Sequence, residues 1–155
     1  MKSVFATVLI FAFGVSYADE IATCRAPSGH TYYHAKGNIP KDKAGWQSDG
    51  ISNGVFSLVQ VADGNFDVLY IDARKKPISA VQDGAVVRLI RASATNLTVF
   101  VFYREAMTEI YSFFSERDGG NKFTVLQNRS GDGAFIEKSS LLVGQCDPIK
   151  FELVR

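Results

Sequence analysis

The chain has 155 residues, with 17 Lys and Arg against 16 Asp and Glu and a formal net charge of +1 at pH 7. This near-neutral balance gives no electrostatic basis for binding nucleic acid or an anionic membrane surface. The length suits one domain with a hydrophobic core of its own.

The N-terminal segment has the layout of a secretory signal peptide. Lys2 supplies a positive charge, residues 4–15 are mostly apolar, and Ser16-Tyr17-Ala18 puts small residues at the two positions that a signal peptidase reads. The apolar run is shorter than the about 20 residues that a membrane-spanning helix needs. We therefore expect a cleaved signal peptide at 1–18, followed by a single β-domain at 19–155 that is periplasmic or secreted and does not span the membrane.

Two cysteines, Cys24 and Cys146, lie near opposite ends of the expected mature chain. An even number of cysteines in an oxidising compartment predicts a disulfide bond. A bridge that closes so long a loop is worth about 4–5 kcal/mol in the chain-entropy model. A redox-active pair is the alternative, but it lacks the C-x-x-C spacing.

The expected mature chain consists of apolar stretches separated by turn residues, and Asp-Gly pairs between such stretches are strong hairpin signals. They predict two hairpins, one formed by 55–61 and 66–71 and the other by 110–115 and 123–126. Further strands are predicted at 30–35, 78–82, 86–91 and 96–104, with one or two within 135–154. About eight short strands without intervening helices predict an all-β fold, either an antiparallel β-sandwich or a small β-barrel.

The longest irregular stretch is predicted at 35–53, and it contains the single tryptophan, Trp46. Long loops in compact domains are often functional, and aromatic side chains commonly anchor interfaces. Tyr32 and Tyr33 precede this loop closely in the sequence. We therefore take Tyr32, Tyr33 and Trp46 as the candidate binding surface.

The segment 97–103 is apolar on both faces of a strand, because Val99 and Val101 alternate with Phe100 and Phe102. A strand with one face in water should alternate apolar and polar residues instead. We expect the chain itself to cover both faces. The alternative is that Phe100 and Phe102 form a patch for a partner.

Gly50-Ile51-Ser52-Asn53-Gly54 matches the G-x-S-x-G signature of serine hydrolases. In those enzymes the serine lies on a strained turn between a strand and a helix, and the histidine follows it in the chain. Here Ser52 leads into a predicted strand, and both histidines precede it. Ser52 is therefore interpreted as a turn residue, and no catalytic residue is assigned.

His30 and His34 have the i, i+4 spacing that places two metal ligands on one face of a helix. The intervening Thr-Tyr-Tyr favours a strand, in which these positions lie about 13 Å apart. One ion cannot bridge that distance. Asp63 to Asp67 resembles the start of a calcium loop, but the required glycine and glutamate are absent. No metal site and no cofactor are predicted.

Short motifs are spread over most of the expected mature chain: Cys24, 29–33, Gly45-Trp46, 49–52, 67–70, 82–84, 139–144 and Cys146. On these motifs the chain resembles a group of small secreted bacterial proteins of unknown function. The resemblance implies a bacterial periplasmic or secreted location, and it transfers no catalytic residues.

Two functional hypotheses follow from the sequence. The first is a non-enzymatic binding module, held by one disulfide, for a protein partner or for a small ligand. The alternative is a small secreted hydrolase with a carboxylate-based or histidine-based site, which would need a cleft holding a group with a perturbed pKa.

Overall fold

The computed structural model describes residues 18–71 and 76–154. The predicted signal peptide lies almost entirely outside the described residues. Ten strands make up most of the domain: β1 (Asp19–Tyr33), β2 (Gly45–Gly50), β3 (Val55–Gln60), β4 (Phe66–Ile71), β5 (Pro77–Ser79), β6 (Val86–Ala92), β7 (Asn96–Tyr103), β8 (Met107–Ser115), β9 (Asn121–Arg129) and β10 (Lys138–Cys146). A short 3-10 helix at Phe151–Val154 follows the last strand.

All ten strands belong to one antiparallel sheet. Nine of them follow the order β5-β4-β3-β1-β10-β9-β8-β7-β6 and curl into a half-barrel, while β2 pairs with β1 beside this path. The long strand β1 makes this branching possible, because its first half pairs with β3 and its second half with β2. The change occurs at an irregularity after Arg25, where Ala26 has a left-handed backbone with φ of 47°.

The hydrophobic core lies on the inner face of the half-barrel. Alternate residues of β7 (Leu97, Val99 and Val101) are fully buried there, as the two-residue period of a strand requires. Gly144 leaves the space that the Phe123 ring occupies, because a Cβ at that position would lie 2.3 Å from the ring. The 3-10 helix adds Phe151 to the core. Just before this helix, the Lys150 backbone N–H donates a hydrogen bond to the Ile21 carbonyl oxygen.

Cys24 and Cys146 lie directly opposite each other on β1 and β10 and form the predicted disulfide bond. The Cys24 side chain is completely buried. The bridge therefore joins the first and last strands of the domain at the centre of the strand order, where they already pair.

The prediction of an all-β antiparallel fold is confirmed, as are both hairpins and the strands at 86–91 and 96–104 to within a residue. The predicted irregular stretch at 35–53 is wrong in its second half, because β2 forms there and pairs with β1. The strand predicted at 30–35 is the end of a much longer strand, and the one at 78–82 ends early in a turn. The described residues form ten strands in one curled sheet, rather than the about eight that were predicted.

The outer face of β7 corrects a second expectation. Within the described ranges no further layer covers it: Phe102 is 40% exposed and Phe100 is only partly buried. The two rings stack on each other, with centroids 6.3 Å apart. The expectation that the chain covers both faces of this strand is therefore wrong.

Among residues 18–71 and 76–154, no helix is long and apolar enough to cross a membrane.

Candidate functional site: a cavity at one end of the half-barrel

The inner face of β7 to β10 changes from apolar to polar along the strands. Its lower part is apolar and consists of two cross-strand rows, which are Gly144, Phe123, Phe113 and Leu97, and next to them Leu142, Val125, Tyr111 and Val99. Above them lies a row that mixes polar and apolar residues: Ser140, Gln127, Glu109 and Val101. The last row, which we call the rim, contains Lys138, Arg129, Met107 and Tyr103.

A cavity of about 260 Å³ opens where the polar rows meet the apolar ones. Phe56, Val125 and Leu142 contribute apolar wall, and Glu109 and Gln127 contribute polar groups. A second recess of about 330 Å³ shares Tyr70, Tyr103, Met107 and Arg129 with it and extends towards the loop between β9 and β10. Small-molecule sites are typically mostly apolar clefts of about this size with a few convergent polar groups.

Glu109 is the most deeply buried charged residue of this cavity, with 6% of its surface exposed. One carboxylate oxygen accepts a hydrogen bond of 2.8 Å from the Tyr111 hydroxyl, and the other accepts one from the Gln127 side-chain amide. Burial raises the pKa of Glu109, although these two bonds and the charge of Arg129 oppose the rise. A buried carboxyl group whose pKa is shifted and which lies in a cleft is a candidate functional group.

Asp49 reaches the same cavity from β2, but its surroundings are different. One of its oxygens accepts hydrogen bonds from the Thr31 hydroxyl (2.8 Å), the Tyr33 hydroxyl (3.1 Å) and the Lys138 ammonium group (3.0 Å). Burial alone would raise the pKa of Asp49, but Lys138, Thr31 and the Gly50 N–H together outweigh it and lower the pKa. Asp49 is thus an ionised and saturated acceptor.

Lys138 and Arg129 lie directly opposite each other on the rim. Like charges at opposed positions of neighbouring strands repel. Asp49 neutralises Lys138 through a salt bridge of 3.0 Å. The Arg129 guanidinium has no hydrogen bond or ion pair with any side chain in the described part of the chain, and Arg129 is among the residues that line both recesses.

Tyrosine hydroxyl groups supply the remaining polar atoms of the cavity. The Tyr70 hydroxyl donates a hydrogen bond of 3.0 Å to Asp83. The Tyr103 hydroxyl is buried and completes no hydrogen bond of normal geometry with the residues that the structure describes. Burial first, and then the neighbouring Tyr70 hydroxyl, raise the pKa of Tyr103, so it remains a protonated donor.

The structure separates the three residues of the predicted binding surface. Tyr32 and Trp46 are opposed across β1 and β2 on the outer face, with their rings edge to face at 5.5 Å. Trp46 is 69% exposed. Tyr33 points to the other face, where it contacts Asp49 and lies under the Lys138 ammonium at 5.6 Å. The binding role of all three stays a prediction.

Ser52, His30 and His34 are not among the residues that line the cavity, although Ile51, next to Ser52, is one of them. Ser52 is exposed in a turn that is closed by the Gly54 N–H on the Ile51 carbonyl. His30 is exposed on β1, and this strand confirms that the two histidines do not share a helix face. As far as the structure describes the chain, no group of three His, Cys, Asp or Glu side chains is placed to hold a metal ion.

Glu109, Gln127 and Arg129 were not predicted as site residues from the sequence. A signal was present, since Glu109 interrupts the inward-facing apolar positions of β8, and Gln127 and Arg129 do the same on β9. Their convergence depends on the register between the two strands, which places Glu109 opposite Gln127.

Comparisons with protein-family models, with curated proteins and with solved structures found no match for this chain. The cavity must therefore be interpreted from its own chemistry.

Proposed function

We propose that this protein is a periplasmic or secreted binding module that holds a small ligand in the cavity of its half-barrel. The disulfide between Cys24 and Cys146 supports an oxidising location. The resemblance to small secreted bacterial proteins is part of the same proposal. The non-enzymatic role agrees with the state of the carboxylates, because Asp49 accepts four donors and both oxygens of Glu109 accept one each.

One observation carries the proposal: a ligand-sized cavity is built from rigid strands, and a buried carboxyl group lies in its wall. Burying Glu109 costs free energy that a purely structural apolar residue would not. Such a cost is expected where a polar group serves recognition. The surrounding strands pair continuously from β1 through β10 to β7, so the cavity is preformed.

The experiment is a nitrogen-15 NMR titration of the mature protein against a library of small molecules with acidic, neutral and basic head groups. Binding in the cavity should shift the amide signals of Glu109, Val125 and Gln127. The variant Met107→Trp, which fills the rim, should abolish these shifts. The control Leu126→Trp adds the same side chain to the outer face of β9 and should leave them unchanged.

Circular dichroism shows whether both variants keep the fold. If no compound in the library shifts the signals of the inner face, the proposal of a small-ligand module is wrong. If Met107→Trp and Leu126→Trp weaken binding equally, the ligand does not occupy the cavity.

A second candidate, a hydrolase with a carboxylate pair, is favoured by one observation. Asp49 and Glu109 line one cavity, and their surroundings move their pKa values in opposite directions. Such a divergence is typical of an acid and a base that work together. Turnover of chromogenic glycosides or esters that is lost in both Asp49→Asn and Glu109→Gln would establish this candidate. Absence of turnover in wild type favours binding alone. The histidine-based version loses support, because His30 is exposed on the outer face.

A further inference from the structure

We infer that the ligand is an amphipathic organic anion, whose acidic head binds the Arg129 guanidinium at the rim and whose apolar body lies against Phe56, Val125 and Leu142. This inference rests on the proposed function and names the class of ligand for the same cavity. It is carried by the charge arrangement of the rim and by the gradient of polarity along the inner face.

Among residues 18–71 and 76–154, the charge arrangement leaves one rim cation without a close carboxylate. Lys138 and Arg129 are opposed cations, and of these two Lys138 has a described carboxylate, that of Asp49, at 3.0 Å. Glu109 affects Arg129 only through space, because its two oxygens already bind Tyr111 and Gln127. An incoming anion would relieve the repulsion between the two cations and would form charge-assisted hydrogen bonds with a planar donor that suits carboxylates.

The polarity gradient fixes the orientation of the ligand. Phe56, Val125 and Leu142 are all nearly fully buried and supply the deep wall, whereas Arg129 is exposed at the mouth. A ligand that enters with its apolar part first therefore leaves its head group at the rim. An ion in the reverse orientation would lose its hydration without meeting a counter-charge.

The Tyr103 hydroxyl is a neutral hydrogen-bond donor in the same part of the cavity as Arg129. The buried Tyr103 hydroxyl belongs to the same rim row as Arg129, and both recesses include it. Burial and the neighbouring Tyr70 hydroxyl raise the pKa of Tyr103, so the Tyr103 hydroxyl stays protonated and can donate. It makes no hydrogen bond of normal geometry with the described residues, so the second oxygen of an acidic head group could accept one from it.

Three probes with the same phenylbutyl carbon skeleton and different head groups test the inference: 4-phenylbutyrate, 4-phenylbutan-1-ol and 4-phenylbutylamine. Titration calorimetry at neutral pH should show that the acid binds about tenfold or more tightly than the alcohol. The amine should bind more weakly than the alcohol, because Arg129 repels it.

Three variants test whether the preference for the acid depends on Arg129 and Tyr103. Arg129→Gln should remove about tenfold or more of the affinity for the acid and leave the affinity for the alcohol nearly unchanged. The control Arg117→Gln removes an exposed arginine of the turn between β8 and β9 and should change neither affinity. Tyr103→Phe should weaken binding of the acid by a smaller factor and that of the alcohol less.

The outcomes distinguish failure of the anion inference from failure of the proposed small-ligand function. Equal affinity for acid and alcohol, or an acid affinity that Arg129→Gln does not reduce, overturns the anion inference while leaving the cavity as a binding site. Library hits that are all neutral or cationic overturn it as well. If neither the probes nor the library shift the inner-face signals, the proposed function itself fails.

Discussion

Both faces of strands β7 to β9 carry large apolar side chains, but the two faces have opposite environments. On the inner face Leu97, Val99 and Phe113 are completely buried. On the outer face Phe102 and Leu126 are 40% and 49% exposed. The register also aligns Phe100, Ile110 and Leu126 in one cross-strand row. Alternation in a strand thus identifies which residues share a face, but the curl of the sheet decides which face is covered.

The largest difference between the faces is expected from truncating one phenylalanine on each. Phe113→Ala opens a cavity among Phe123, Tyr111 and their neighbours and should lower the free energy of unfolding by about 3–5 kcal/mol. Phe102→Ala removes a half-exposed ring that stacks on Phe100 and should cost no more than about 1 kcal/mol. Urea unfolding of the oxidised protein measures both. Similar losses would mean that something covers the outer face in solution.

A methyl group added to the inner face of β10 tests the same difference between the buried and the exposed face. In Gly144→Ala the new Cβ would lie 2.3 Å from the Phe123 ring and 2.6 Å from the Arg25 carbonyl oxygen. Because one of these atoms is backbone, relief requires a shift of strands, and a cost of about 1–3 kcal/mol is expected. Gln145→Ala, the next residue and exposed, should change stability by less than about 0.5 kcal/mol. Equal stability of both variants in a thermal melt would contradict the packing described for Gly144.

The inner face should also respond to pH through Glu109. Burial raises its pKa above the ordinary 4.5, against the hydrogen bonds from Gln127 and Tyr111 and the charge of Arg129. The folded state therefore holds this proton more tightly than the unfolded state. The stability that this contributes is complete below the unfolded pKa and is lost as the pH rises through the folded pKa.

Glu109→Gln should consequently flatten the fall in the free energy of unfolding that accompanies a rise of pH above the ordinary pKa of a glutamate. Glu152→Gln, at an exposed carboxylate, is the matched control and should follow the wild-type profile. A wild-type profile as flat as that of Glu109→Gln would show that the buried carboxyl group is not protonated more readily than an exposed one.

Sequence reasoning was sufficient for the fold class, because hairpin turns and two-residue alternation are local properties. It failed at β2, where Gly45 and Gly50 indicate a loop and only pairing with β1 makes the segment a strand. It failed for the cavity for a similar reason. Glu109 and Arg129 are ordinary polar residues in the sequence, and the register between β8 and β9, together with the curl of the sheet, makes them neighbours of one ligand-sized space.

The smallest effect is expected from Trp46 on the outer face of β2. Since it is 69% exposed, Trp46→Ala should change the free energy of unfolding by less than about 0.5 kcal/mol. Trp46 is the single tryptophan of the chain, so its fluorescence reports on the outer face alone. The emission should be quenched by iodide and should stay unchanged when 4-phenylbutyrate binds. A change in emission on binding would indicate that the ligand binds at Tyr32 and Trp46. The proposal that it binds in the inner cavity would then be wrong.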